Sequence, residues 1–310
     1  MLRVPGRWRV FSIGVFTGPS PLELAAPADR RGAVLAREDA ADHTSSFVAD
    51  PFMIRVGDAW HMFFESMEGT EAPRGVIAHA TSADGHRWNY QGVVLSEPFH
   101  LSYPQVFCAG SDVYMVPESG DAGRVQLYRA DSFPGRWTPV ATLLSGPVLL
   151  DSTLFEHEGR WWMFTTTDIV RGTLRLFHAP GVGGPWVEHP SSPVIDGDLR
   201  FSRSAGRVVS DRGRLFRFAQ DCRETYGRAV EPVEITRLDP LGYAEVRPLG
   251  GPTLSGSGSG WNKHGMHHVD AHRLPDGSWI ACVDGWRWRL RRPREMLFWV
   301  KGHLRRMGFD

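Results

Sequence analysis

The 310-residue sequence predicts an all-β fold, a five-bladed β-propeller followed by a short basic tail expected to be helical. Three observations predict it. A tryptophan recurs at intervals of 49 residues, a glycine-turn motif occurs five times, and no long stretch before residue 285 keeps the 3.6-residue apolar period of a helix.

The tryptophans are Trp88, Trp137 and Trp186. Before each, a strand-like run ends in a Gly/Pro turn: Ala83-Asp84-Gly85, Phe133-Pro134-Gly135 and Gly183-Gly184-Pro185. The indole then opens the next strand. The second motif is a glycine turn leading into an aromatic-rich or apolar strand. It starts at Gly57, Gly110, Gly159, Gly213 and Gly277. A short apolar run precedes each glycine, so each marks a hairpin. Four short strands in a unit of roughly 50 residues describe a propeller blade. Five such units argue against a two-sheet sandwich, because a blade hides its faces only by packing against neighbours around an axis.

The propeller is expected over residues 8–285, and 286–310 form the tail, with no linker between domains. Ser255-Gly256-Ser257-Gly258-Ser259-Gly260 falls inside the last repeat and reads as a long mouth loop. The tail interleaves Arg287, Arg289, Arg291, Arg292 and Arg294 with Trp288, Leu297, Phe298 and Trp299. It is expected to pack on the propeller, with contact to an anionic membrane as the alternative. Val10–Phe16 reads as a first strand, not a signal peptide.

Lys+Arg and Asp+Glu balance at 35 each, which argues against a general nucleic-acid binder. Cys108, Cys222 and Cys282 are too dispersed for a zinc motif and odd in number, so free thiols and a cytoplasmic setting are expected. Twelve tryptophans suit a sugar-binding cleft as well as a core.

In a propeller the first strand of each blade lines the channel. Counting back from the hairpin glycines brings Asp50, Tyr103, Asp151, Arg203 and Asp270 to equivalent places. Three carboxylates and a guanidinium around one axis are costly unless paired or used. A salt-bridge network is one reading, and a polyhydroxyl-binding site with acid/base groups is the other. The second strands end in Glu65, Glu118, Asp168, Gln220-Asp221 and Asp284, candidates for a surrounding layer. His267 and His268, in Gly265-Met266-His267-His268-Val269-Asp270, are candidate ligand contacts. No cofactor is implied, although calcium at the channel centre is the form a metal would be expected to take.

Phe47-Val48-Ala49-Asp50-Pro51-Phe52-Met53-Ile54, Glu97-Pro98-Phe99-His100-Leu101-Ser102-Tyr103-Pro104, Ala219-Gln220-Asp221-Cys222 and the histidine segment together resemble one family. It is the N-terminal propeller of plant glucosamine inositol phosphorylceramide transferases and its free-standing bacterial relatives. The resemblance spans about residues 8–285. In the plant proteins a glycosyltransferase domain follows, which this chain, ending at Asp310, is expected to lack. More distantly the chain is similar to the five-bladed glycosidases of family 43 and its clan. That likeness implies an Asp base on the first blade, matched by Asp50, and an Asp modulator on the third, matched by Asp151. The Glu acid of the fourth blade has no match, since Ser202-Arg203-Ser204 stands there. Arginine stays protonated and cannot cycle as a proton donor.

Two functions are therefore expected. One is a glycan-active enzyme with Asp50 as base, a proton donor among Asp270, Glu118 and Asp221, and Arg203 on a charged substrate group. The other is a non-catalytic glycan-binding module partnering a glycosyltransferase. A protein-interaction propeller ranks third.

Overall fold

The computed structural model describes residues 7–29, 31–69, 73–247 and 250–290. The chain starts with β1 (Arg7–Ser20) and β2 (Glu23–Ala25). Blade I follows with β3 (Ser45–Val56), β4 (Ala59–Glu68), β5 (Arg74–Ser82) and β6 (Asn89–Leu95). Blade II holds β7 (Ser102–Ala109), β8 (Asp112–Glu118), β9 (Arg124–Ser132) and β10 (Arg136–Ser145). Blade III holds β11 (Leu150–His157), β12 (Arg160–Asp168), β13 (Thr173–Ala179), β14 (Val187–Glu188) and β15 (Ile195–Asp196). Blade IV holds β16 (Val209–Asp211), β17 (Arg214–Asp221), β18 (Ala229–Asp239), β19 (Gly242–Val246) and β20 (Leu254–Ser255). Blade V pairs β21 (Gly265–Arg273) and β22 (Trp279–Leu290) with β1 and β2, in the order β2-β1-β22-β21.

This is the predicted five-bladed propeller, closed by an N-terminal strand that enters the last blade. β1 and β22 pair without a break from Arg7↔Leu290 to Gly18↔Trp279. Trp286–Leu290, read from sequence as the start of the tail, thus belong to β22. The expected helix beyond them lies outside the described residues. No α-helix occurs among the described residues, so none there is long and apolar enough to cross a membrane.

Local chemistry explains the repeat. All five hairpin glycines have positive φ, from 60° at Gly57 to 87° at Gly277, where side chains are disfavoured. The periodic tryptophans share one job. Each indole N–H donates to the turn before it: Trp88 to the Gly85 carbonyl (3.0 Å), Trp137 to Pro134 (2.9 Å) and Trp186 to Val182 (3.2 Å).

The core is divided by interface, as a radial stack requires. Phe52, Phe63, Val106 and Met115 join blades I and II, and Phe107, Val116, Leu154 and Met163 join II and III. Phe155, Trp162, Ala219 and Val233 join III and IV, and Phe216, Phe218, Met266 and Val269 join IV and V. Ile13, Val15, Met53 and Phe64 close the ring between V and I. Full burial of each large apolar side chain stabilises by about 1.5–3 kcal/mol.

Candidate functional site

Blades I, II and III bend their innermost strands in the same place. The pairing of β3, β7 and β11 with the next strand skips between Ala49 and Phe52, Ser102 and Gln105, and Leu150 and Thr153. At each bulge one residue takes a left-handed conformation: Asp50 (φ 52°), Tyr103 (φ 46°) and Asp151 (φ 48°). A non-glycine residue there costs roughly 1–2 kcal/mol. Each lies six positions before the last paired residue of its strand, Val56, Ala109 and His157.

Blade V follows the same rule with a different residue. The bulge in β21 lies between Gly265 and His268, and six positions before Arg273 is His267. The glycine alignment had selected Asp270 because it assumed a short hairpin. The β21–β22 turn runs from Leu274 to Ser278, three residues longer than Gly57-Asp58, which displaces the count by three. Asp270 therefore sits deeper. Its carboxylate accepts from Arg207 Nε (2.7 Å), the Met53 backbone N–H (2.7 Å) and His272 Nε2 (3.0 Å). Burial opposes its ionisation, but Arg207 and His272 outweigh that and hold its pKa far below the usual range. Asp270 ties blade V to blades I and IV and has no free oxygen to offer a substrate.

At the mouth a different group assembles. Asp50, Glu65, Glu118, Asp151 and Asp284 are all buried and close enough to perturb one another. Asp151 is the best satisfied. Arg203 donates to both of its oxygens, and Gln220 Nε2 donates at 3.0 Å. Arg203 also lies over the Tyr226 ring, 4.9 Å from its centroid. Asp284 Oδ2 accepts the Asp50 backbone N–H at 2.9 Å, and Asp284 Oδ1 accepts His267 Nδ1–H at 2.6 Å. One carboxylate thus holds both the strained backbone of Asp50 and the ring beside it. His267 Nε2 then faces Asp50 Oδ1 at 3.7 Å. Phe11 stacks on the His267 ring at 4.7 Å.

The other three acids lack cationic partners of comparable quality. Asp50 Oδ1 and Glu65 Oε1 are buried without a hydrogen-bond partner. Burial, reinforced by Asp284 and Asp151 and opposed by His267, pushes Asp50 up to about 7. Burial, with Asp50 and Glu118 nearby, holds Glu65 well above the usual carboxylate range. Glu118 accepts from Ser102 Oγ (3.2 Å) and the Gly120 N–H (2.5 Å), yet burial and the Asp151 charge raise it to about 7. Burial disfavours protonated His267, but Asp284 and Asp50 prevail and raise its pKa.

Of the other residues expected at the site, Tyr103 and His268 form its floor. Both are fully buried and, with Phe52, make a trio of rings with centroids 4.6–5.3 Å apart. The Tyr103 hydroxyl meets Thr153 Oγ1 (2.8 Å) and accepts from the Gly206 N–H (2.7 Å), so it spans blades II, III and IV. Gly206 is required there, because a Cβ would stand 1.8 Å from the Val269 carbonyl oxygen at φ 127°. These buried rings fill the centre of the propeller, and the five acids grouped around it, the crater acids, are themselves buried. Asp221 is held apart from the crater acids by Arg223 (2.9 Å) and Arg228 (3.0 Å). Those hydrogen bonds outweigh burial and lower its pKa.

Among the described residues, Asp50, His267 and Asp284 are the group whose potential ligand atoms fall within 4.8 Å of one another. Calcium takes six to eight oxygen ligands. Here a ring nitrogen is one donor of three, and both Asp284 oxygens already accept hydrogen bonds. The donor set does not fit calcium.

With the geometry in place, comparison with known proteins is direct. Residues 5–286 match the model of the family described as glucosamine inositolphosphorylceramide transferase 1, N-terminal. The chain belongs to this family. It is 35% identical over 302 residues to glucosamine inositolphosphorylceramide transferase 1 of Oryza sativa subsp. japonica, covering 90% of this chain and 40% of the relative. With the protein of the same description from Arabidopsis thaliana it shares 34% over 305 residues, covering 90% and 39%. The chain therefore spans about 40% of the length of these relatives.

The family's propeller also has counterparts among solved structures. The catalytic domain of Coprinopsis cinerea GH62 α-L-arabinofuranosidase aligns with a TM-score of 0.59 at 15% identity, covering 91% of this chain and 98% of that one. A thermostable family-43 glycoside hydrolase aligns at 0.56 and 14%, covering 82% and 96%. Zg3597, a family 117 glycoside hydrolase from Zobellia galactanivorans, aligns at 0.55 and 15%, covering 80% and 88%. At these identities the likeness is one of fold.

Glu65, Asp284, Tyr226 and Arg207 were not among the primary candidates. Glu65 and Asp284 carried a signal, since both end second strands. Tyr226 and Arg207 carried none, because each lies in an irregular segment where no repeat position marks it.

Proposed function

We propose that the crater binds a terminal sugar of a glycan or glycoconjugate and performs acid/base chemistry on its glycosidic bond. Asp50 acts as base and Glu118 as proton donor. The observation that carries this reading is that Asp50 and Glu118, both buried, flank Glu65 in one cluster of acids without an arginine or lysine partner, a setting in which burial raises both pKa values. One ionised and one protonated carboxyl is the state that glycoside cleavage uses. The known actions of the structural counterparts on glycans, and the glucosamine and inositol named for the relatives, agree with a carbohydrate ligand.

Charge narrows the ligand. Arg203 is already committed to Asp151, so it offers no free cation to a phosphate or uronate group, and a neutral or amino sugar is favoured over the anionic one that a free Arg203 would have selected. The test is turnover of a panel of aryl glycosides, amino sugars included, from pH 5 to 9. A bell centred near pH 7 that Asp50→Asn and Glu118→Gln each abolish is expected. Turnover that survives both substitutions contradicts the assignment.

The second reading is a non-catalytic glycan-binding module working with a glycosyltransferase. It is favoured by Arg203, which occupies the fourth-blade position expected of an acid and is locked onto Asp151. Sugar binding without turnover in the same panel selects it.

A further inference from the structure

The crater acids are 0–8% exposed, so a sugar reaches them only when part of their cover moves. They sit on strands paired into their blades, and those strands do not open short of unfolding. The turns between strands are the parts free to move. One of them, residues 222–227 between β17 and β18, lies against the groups that hold the acids. The Tyr226 ring meets the His267 ring edge-on, with centroids 5.0 Å apart, and the Arg203 guanidinium at 4.9 Å. His267 is the neighbour of Asp50 and Asp284, and Arg203 is the partner of Asp151. Tyr226 also packs on the apolar cluster of Phe11, Ala49 and Trp286, which includes the residue before Asp50.

The loop is built as a flap. Its neck is closed on blade IV, where the Arg228 backbone N–H donates to the Asp221 carbonyl at 3.2 Å. Arg223 and Arg228, at its two ends, both grip the Asp221 carboxylate. Its far side is tied to blade V by two bonds. The Trp286 indole N–H donates to the Gly227 carbonyl at 2.7 Å, and Arg9 donates to Thr225 Oγ1. Among the described residues, no backbone hydrogen bond joins Glu224, Thr225 or Tyr226 to a strand. A short loop with adjacent ends, fastened elsewhere by side chains, can swing out as a unit. The Cys222 thiol lies at its base, beside the Arg203 guanidinium and the Gly227 backbone N–H.

We infer that residues 222–227 form a lid over the crater acids, hinged at Asp221 and Arg228 and latched to blade V by Trp286 and Arg9. Tyr226 is the side chain that leaves when a ligand reaches Asp50. This gives Asp221 and its two arginines a task that sequence position alone did not suggest. The inference rests on the crater reading for what the lid admits, but the motion itself is measured without a sugar.

Chemical labelling of the full chain tests it, with the exposed Cys108 removed as Cys108→Ser. N-ethylmaleimide reports on Cys222, and a water-soluble carbodiimide with glycine ethyl ester reports on Asp50, both read by peptide mass spectrometry. The fully buried Cys282 reports global unfolding. Thr225→Val removes one latch and keeps the side-chain shape. It is expected to raise the Cys222 and Asp50 rates together by at least about tenfold, with the Cys282 rate unchanged. Unchanged rates at Cys222 and Asp50 overturn the lid. A rise at Cys222 alone overturns it too, since the loop then moves without uncovering the acids. A rise shared by Cys282 assigns the change to unfolding and also overturns it. Failure of every glycoside in the turnover panel, with the expected labelling observed, sinks the crater reading and spares the lid.

Discussion

Asp50 and Asp270 precede their hairpin glycines by the same seven residues, yet they live in opposite electrostatic worlds. Asp270 is met by a guanidinium, an imidazole and a backbone N–H, and its pKa is held far down. Asp50 is met by other carboxyls and a shared histidine, one of its oxygens has no partner, and its pKa rises to about 7. Burial alone does not separate them, since both are buried. Pairing does. A buried acid with a dedicated cation serves the architecture, whereas a buried acid among acids is held at a cost that function explains.

The largest effect should come from breaking the paired side. Asp270→Ala leaves the partly buried Arg207 without its carboxylate and the Met53 N–H without an acceptor. It is expected to destabilise the fold by about 3–5 kcal/mol in urea denaturation. A loss below about 1 kcal/mol would show that Asp270 is not structural.

On the unpaired side the sign reverses with pH. A carboxyl whose folded pKa is raised holds a proton that the unfolded chain has released. Its contribution is fully present below the ordinary carboxylate pKa of about 4 and is lost as pH rises through about 7. Glu118→Gln should therefore be more stable than the parent by roughly 1–3 kcal/mol at pH 8, with that advantage gone at pH 4. Thermal unfolding at both values measures it. An equal effect at the two pH values would mean that Glu118 ionises normally.

A smaller effect is expected at the floor. Tyr103→Phe strands the buried Gly206 N–H and should cost about 1–3 kcal/mol. Sugar affinity should change little, because the buried hydroxyl is already engaged by Thr153 and Gly206. The smallest belongs to the outer edge. Trp137→Phe swaps the indole for a smaller phenyl ring and loses the bond to Pro134, for about 1–2 kcal/mol in thermal unfolding.

The same contrast shows what could be read without coordinates. The fold was legible because turns obey local rules. Gly57, Gly110, Gly159, Gly213 and Gly277 all needed positive φ, and Trp88, Trp137 and Trp186 repeated one turn contact. The site was legible only where hairpins have equal length. Asp50, Tyr103 and Asp151 came out aligned because two-residue turns fix the count to the bulge. Blade V has a five-residue turn, so the count fell on Asp270 in place of His267. Asp221 looked like Glu118 at the end of a second strand, but Arg223 and Arg228 in the next turn claim it, and that pairing depends on how the turn folds back. Ionisation was the least legible property, since it depends on which neighbours several blades bring together.

The most direct test of that difference is carbon NMR of the full chain labelled at Asp and Glu side-chain carboxyls, with Asp50→Asn and Glu118→Gln for assignment. Titration midpoints near 7 for Asp50 and Glu118, both moving when a neutral or amino sugar is added, are the predicted result. Midpoints for both within the ordinary range near 4, unmoved by sugar, would contradict the account.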